Sequence, residues 1–357
     1  MRVQNNKIDF SGQNIYVGID SHLKSYKVSL YHDDIALKTF SQDPSPDILV
    51  KHLRKNYPNA NFFCAYEAGY SGFWLQRSLE KLGINCIVVN PADVPTTDKE
   101  KKLKNDKRDC KKIARSLRNQ ELEAIHIPSL QVQEDRQIIR HYSNTVKERT
   151  RIKVQIKAFL NYYGIVYPEE FSDPNKHWSK SFIQWLKTLE LTSDSGSWAI
   201  QQMVQEYQHR VEVVKTSVRK IRDLSQQDRY KTNVRLLRSI PGIGLIFSMI
   251  ILTEIGDIRR FKNNDKLAAY VGLIPNTNSS GEKEKITGIT SRGNKQIKSV
   301  IVEAAWASLR YDPSLLSSFT KLKARMDGNK AIIRIAKKML GRIRYVLINQ
   351  QEYQISY

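Results

Sequence analysis

Acidic residues are the scarce ones in this chain. Its 357 residues carry 36 Asp and Glu against 58 Lys and Arg, a formal charge of +22. An excess of that size points to a polyanionic partner. Long apolar runs are also missing. The longest, over residues 243–252, is far too short to cross a hydrocarbon layer of roughly 30 Å. A membrane is therefore not the expected partner. Residues 1–14 (MRVQNNKIDFSGQN) lack the apolar centre of a secretory leader. Cysteine is limited to Cys64, Cys86 and Cys110, with none of the paired spacings that zinc or redox chemistry uses. Cys64 and Cys86 fall in apolar, strand-like runs and read as buried fillers. No Cys/His finger is present to read bases. These absences lead to the expectation of a reducing cytoplasm and a nucleic-acid partner.

What is present divides into three parts, expected at 1–128, 129–230 and 231–357. The first reads as β-β-β-α-β-α-β-α. Residues 15–20, 26–31 and 35–40 are strand-like runs joined by short polar turns, an antiparallel meander. After them come a helix over 47–56, a strand over 61–67, a helix over 73–82 closed by Gly83, a strand over 84–89 and a helix over 106–119. Three meandering strands and then alternating helices and strands is the order of ribonuclease-H-like domains. Residues 129–163 are charged and helical, without Pro or Gly. After an aromatic, turn-rich interlude, Ile200, Val204, Tyr207, Val211, Val214, Val218 and Ile221 recur at alternating spacings of four and three. That is a coiled-coil seam, and two long helices flanking an interlude fold most simply into an antiparallel arm. A helical bundle is the other reading of the same pattern. The last part is expected to be mostly helical, with residues 270–281 a loop.

Asp106 and Asp109 stand inside a run rich in lysine and arginine, LKNDKRDCKKIA. They suit an N-cap and an N3 position, where carboxylates satisfy free backbone N–H groups. They also share one helix face, being three residues apart. In a ribonuclease-H-like order, Asp20 closes the first strand and Glu67 the fourth. Four such oxygen donors converging would hold one or two Mg²⁺ (or Mn²⁺) ions. Ions held there stabilise charge on a scissile phosphate and activate the attacking oxygen. The neighbouring lysines would draw in a substrate that carboxylates alone repel. Further on, LLRSIPGIGL holds Gly242 and Gly244 in a tight turn whose free N–H groups start a helix. It is either a phosphate-gripping helix-hairpin-helix or a plain turn in a helical hairpin.

The stretches VGIDSHLKSY, FCAYEAGYSGFW, VVNPADV and KNDKRDCKKIA resemble the RuvC-like DEDD domain of insertion-sequence transposases of family one-ten, which includes the Piv-type invertases. In the second half, YVGLIPNTNSSG and GITSRGNKQIKSVIVEAAWASL resemble that family's C-terminal transposase domain. The resemblance implies Asp20, Glu67, Asp106 and Asp109 as metal ligands and Ser280 as a nucleophile toward DNA, with Ser279 an adjacent competitor. Seen alone, residues 278–281 are a flexible polar turn. Glu282 stands where the family often has a second glycine. Arg292, Lys295 and Lys298 are candidate phosphate clamps, or a solvated basic face. The resemblance also implies donor and target DNA, a structured non-coding guide RNA, a homodimer or homotetramer, and a place at the prokaryotic nucleoid. The expected function is strand cutting and rejoining. A metal-dependent, junction-resolving nuclease and a non-catalytic nucleic-acid scaffold are the alternatives.

Overall fold

The computed structural model describes residues 9–33, 35–95, 106–280 and 283–355, with the backbone alone at 106–107, 277–280 and 283–287. The chain forms two compact units, Met1–Ile127 and Pro128–Tyr357. The first holds a five-stranded sheet in the order β3-β2-β1-β4-β5, with β1 Asn14–Ser21, β2 Tyr26–His32, β3 Ile35–Gln42, β4 Asn61–Glu67 and β5 Asn85–Val89. The first three strands pair antiparallel, as the short turns between them require, while β1 with β4 and β4 with β5 pair parallel.

Alternation along β1 assigns its two faces. Ile15, Val17 and Ile19 are buried with Leu49, Leu53, Leu75 and Leu79 of helices α1 (Pro46–Asn56) and α2 (Trp74–Lys81). On the opposite face lie Gly18 and Asp20, against helix α3 (Asp106–Arg118), which packs on β1 and β2. A Cβ at Gly18 would stand 2.1 Å from the Cys110 carbonyl oxygen and 2.5 Å from the Ala114 nitrogen. Only glycine lets α3 lie this close to the strand.

The second unit is mostly helical. Helices α4 (Leu130–Tyr162) and α6 (Asp194–Ser225) pack in opposite senses: Glu148 meets Arg210 at 3.2 Å, and Lys153 lies over the Tyr207 ring. Of the expected seam, Ile200, Val204, Tyr207, Val214 and Ile221 are buried, whereas Val211 and Val218 are half-buried. The interlude folds around α5 (Lys180–Lys187), whose Phe182 packs with Phe171, Trp178 and Trp185. Then come α7 (Asp228–Arg238), α8 (Leu245–Ile255), α9 (Asn264–Val271), α10 (Lys295–Ser308), α11 (Pro313–Lys323) and α12 (Gly328–Asn349). Helix α8 is apolar almost all round and sits in the core with Leu267, Ile301, Ile335 and Met339.

The expected loop at 270–281 is different in the fold. Helix α9 runs to Val271, and Pro275–Ser280 form β6, paired antiparallel with β7 (Lys283–Ile289). The sequence PNTNSS has no apolar alternation, because one two-stranded ribbon buries little on either face.

Candidate active site

The parallel register pairs Gly18 with Ala65 and Ile19 with Tyr66, so Asp20 and Glu67 close adjacent strands on one face of the sheet. That face carries α3. Asp109, on the first turns of α3, lies 3.5 Å from Lys112 Nζ, and Glu67 Oε1 lies 3.9 Å from the same nitrogen. Cys110 is buried beside Asp20. Burial first, and then the Asp20 carboxylate, push its thiol up to about 11, which makes it a packing residue rather than a nucleophile at neutral pH. The structure thus brings three of the four expected acids, Asp20, Glu67 and Asp109, around one helix–sheet contact. Asp106 begins the helix, and its side chain lies outside the described residues.

Among the described residues no three carboxylate, imidazole or thiol groups converge as tightly as a metal ion requires. The cation shared by Glu67 and Asp109 is instead the ammonium of Lys112, which is 10% exposed. Two carboxylates drawn to one positive centre, with a third at the adjacent strand end, are of the oxygen-donor type that a hard divalent ion takes. Two groups were missed in the sequence. His22 Nε2 lies 2.9 Å from Asp20 Oδ2, and Ser21 Oγ lies 2.9 Å from Ser71 Oγ, tying the end of β1 to the loop after β4. Their one signal was position, directly after Asp20 at the end of the first apolar strand run.

In the second unit, β6 carries Ser279 and Ser280, whose side chains lie outside the described residues. The base of this hairpin is closely packed. A Cβ at Gly272 would be 2.3 Å from the Arg292 carbonyl oxygen, and one at Gly293 would be 2.6 Å from the Gly272 nitrogen. Both glycines have positive φ, 85° and 115°, a region that side chains other than glycine rarely enter. Lys298 Nζ donates to the Thr290 carbonyl at 2.7 Å and so braces this base, while Arg292 and Lys295 are exposed.

Asn294 caps α10 by accepting from the Gln296 and Ile297 N–H groups, and its amide donates to Glu254 Oε2 at 2.9 Å. Glu254, buried on α8, also accepts two hydrogen bonds from Arg140 of α4, at 2.8 and 3.0 Å. Burial works to raise its carboxyl pKa, but the bonds from Arg140 and Asn294 and the charges of Arg140 and Arg136 outweigh it and hold the pKa below the ordinary range. This buried link between α4 and the base of the hairpin has no counterpart in the sequence pattern.

The turn between α7 and α8 places its glycines in different settings. Gly242, at φ 87°, packs against helix α10, where a Cβ would meet the Ala304 carbonyl oxygen at 2.5 Å. Gly244 is exposed in extended backbone at the N-cap of α8, with open space around it.

A mixed α/β unit with carboxylates at adjacent parallel strand ends is consistent with a DEDD nuclease-like domain. Residues 17–165 match the DEDD transposase family of IS110 elements, and residues 234–320 match the transposase family IS116/IS110/IS902. The chain is 31% identical over 266 residues to the transposase-like y4qE protein of Sinorhizobium fredii, a match covering 74% of this chain and 63% of that protein. It is 25% identical to the transposase of insertion element IS1533 from Leptospira borgpetersenii (70% and 72% covered) and 24% identical to that of IS1111A from Coxiella burnetii (80% and 77%). The match to y4qE therefore spans less than two thirds of that protein's length. The chain belongs to the IS110 family of insertion-sequence transposases.

Proposed function

We propose that this protein cuts and rejoins DNA at the ends of an insertion sequence, using a divalent-metal carboxylate site and a serine nucleophile. The observation that carries this reading is the placement of Asp20 and Glu67 at neighbouring strand ends, with Asp109 joined to Glu67 through Lys112. Asp20, Glu67, Asp106 and Asp109 would hold Mg²⁺ or Mn²⁺, which when bound neutralises charge developing on the scissile phosphate. His22 holds the Asp20 carboxylate in orientation, as outer partners of metal ligands do. Lys112 screens the repulsion between Glu67 and Asp109 and offers a cation to incoming phosphate.

Ser280 is the proposed nucleophile. Its Oγ–P bond forms as one P–O bond to the sugar breaks. The serine proton passes to solvent, and the departing sugar oxygen takes one up. Reversal by a hydroxyl of the exchanged strand releases the serine and conserves the phosphodiester. Gly244 at the open start of α8, with Arg292 and Lys295, is proposed to contact phosphate, whereas Gly242 and Lys298 also hold the local fold. Helices α4 and α6 are proposed as a coiled-coil arm for assembly into a homodimer or homotetramer. A structured RNA is proposed to choose donor and target by base pairing.

The test is trapping of protein on a labelled duplex under denaturing conditions. Wild type should yield a covalent adduct and Ser280→Ala none. An adduct that survives this substitution moves the role to another residue, with Ser279 first. Cleavage by wild type without any adduct would instead mark a nuclease that uses water.

A further inference from the structure

Two cavities, of about 850 and 470 Å³, adjoin along α12 and share Asn264 and Lys338. On α12, Arg334, Lys338, Arg342 and Tyr345 contribute to them, at spacings of four, four and three that place them along one side of the helix. From Arg334 to Tyr345 this side extends about 16 Å at the helical rise, the length of roughly five base-pair steps of a duplex. Helix α11 and the turn after it form the other wall with Lys321 and Arg325, and Lys338 Nζ donates to Ser318 Oγ at 2.8 Å to join the walls.

Some of these cations are already committed. Lys337 pairs with Asp265 at 2.8 Å, and Arg342 pairs with the buried Asp312. Among the described residues, Lys321, Arg325 and Arg334 are exposed and have no carboxylate within ion-pair distance. These three uncompensated cations all line the smaller cavity and focus a positive potential there, while the carboxylate on the wall of the larger cavity, Glu352, is paired with Arg235 at 3.4 Å. Tyr345, 58% exposed at one end, offers a ring and a hydroxyl to a sugar-phosphate chain.

We infer that this groove is a docking track for the phosphate backbone of duplex DNA, gripping it without reading bases. The choice of DNA rests on the proposed transposase function; the charge specifies a phosphodiester chain. Lysine and arginine suit this task because each phosphate they neutralise releases condensed counterions.

The experiment measures binding of the full chain to a labelled duplex by fluorescence anisotropy across a salt series. It compares wild type with the triple variant Lys321→Gln, Arg325→Gln, Arg334→Gln. All three positions are exposed, and glutamine is a good helix former for the two that are helical, Lys321 and Arg334, so the fold should persist, with thermal melting as the check. Loss of three phosphate contacts should flatten the slope of log K against log salt by about 2.7, so that about 40-fold less affinity is lost between 50 and 200 mM. The charge-keeping triple Lys321→Arg, Arg325→Lys, Arg334→Lys should retain the wild-type slope. A control triple at exposed positions of α6 and α7 that line neither cavity, Arg219→Gln, Lys220→Gln, Lys231→Gln, should change it much less. An unchanged slope in the groove variant, or an equal change in the control, overturns the inference. So does a change seen with duplex RNA alone. A wild type that binds without salt dependence would contradict the nucleic-acid reading itself, a separate result.

Discussion

Glu254 shows how much a single buried carboxylate can organise. It sits on the most apolar helix of the chain and is kept charged by Arg140, Arg136 and Asn294. Glu254→Gln leaves the arginines facing a neutral amide, and loss of one member of a buried pair costs roughly 3 kcal/mol. Urea denaturation at neutral pH should show that loss. The folded pKa of Glu254 lies below its ordinary value of 4.5, so its stabilisation is complete above that value and disappears as pH falls through the folded pKa. Wild type should therefore lose a component of stability below pH 4.5 that the Gln variant lacks. Parallel acid profiles for the two proteins would contradict this assignment. Little of this network was legible in the sequence. Arg140 and Glu254 are 114 residues apart, and an acid inside an apolar run looks like an interruption until its partners are seen. Asp20 and Glu67 were legible because each ends an apolar strand run. The role of Gly18 was not, since only the approach of α3 reveals why a side chain is excluded there.

At the scale of elements, apolar patterning decides what can be read. Strands β1, β2, β4 and β5 are largely buried and appear as apolar runs in the sequence. The β6–β7 ribbon has polar strands, so it passes for a loop. The long helices were visible through their spacing, but spacing alone does not say whether a seam serves a hairpin or a partner subunit. The seam lies on α6, where Val214 is 9% exposed and Val211 half-buried. Val211→Asn with Val214→Asn should lower stability by roughly 3 kcal/mol, from about 1.5–3 kcal/mol for each fully buried apolar side chain. Thermal melting and mass in solution check the seam together. Unchanged values for both would show that it contributes to neither the arm nor assembly.

For the whole chain, the charge of +22 was the most legible feature and the least specific. It indicates a polyanion without naming one. The first division, after Ile127, coincides with a change in character from sheet to helix. No comparable change separates α4 and α6 from the later helices, because Ile139 of α4 joins the same core as Met249 and Ile251 of α8. The most direct test of the proposed chemistry is metal-dependent strand cleavage by the four single variants Asp20→Ala, Glu67→Ala, Asp106→Ala and Asp109→Ala, with DNA binding measured alongside. Loss of an outer partner of a metal ligand costs about 10–100-fold, so loss of a ligand itself should lower cleavage by more than roughly a hundredfold. Binding should remain within a few-fold of wild type, and added Mn²⁺ should not restore full rate. Full cleavage by Asp109→Ala, with binding unchanged, would return that residue to a helix-capping role and contradict the four-carboxylate site.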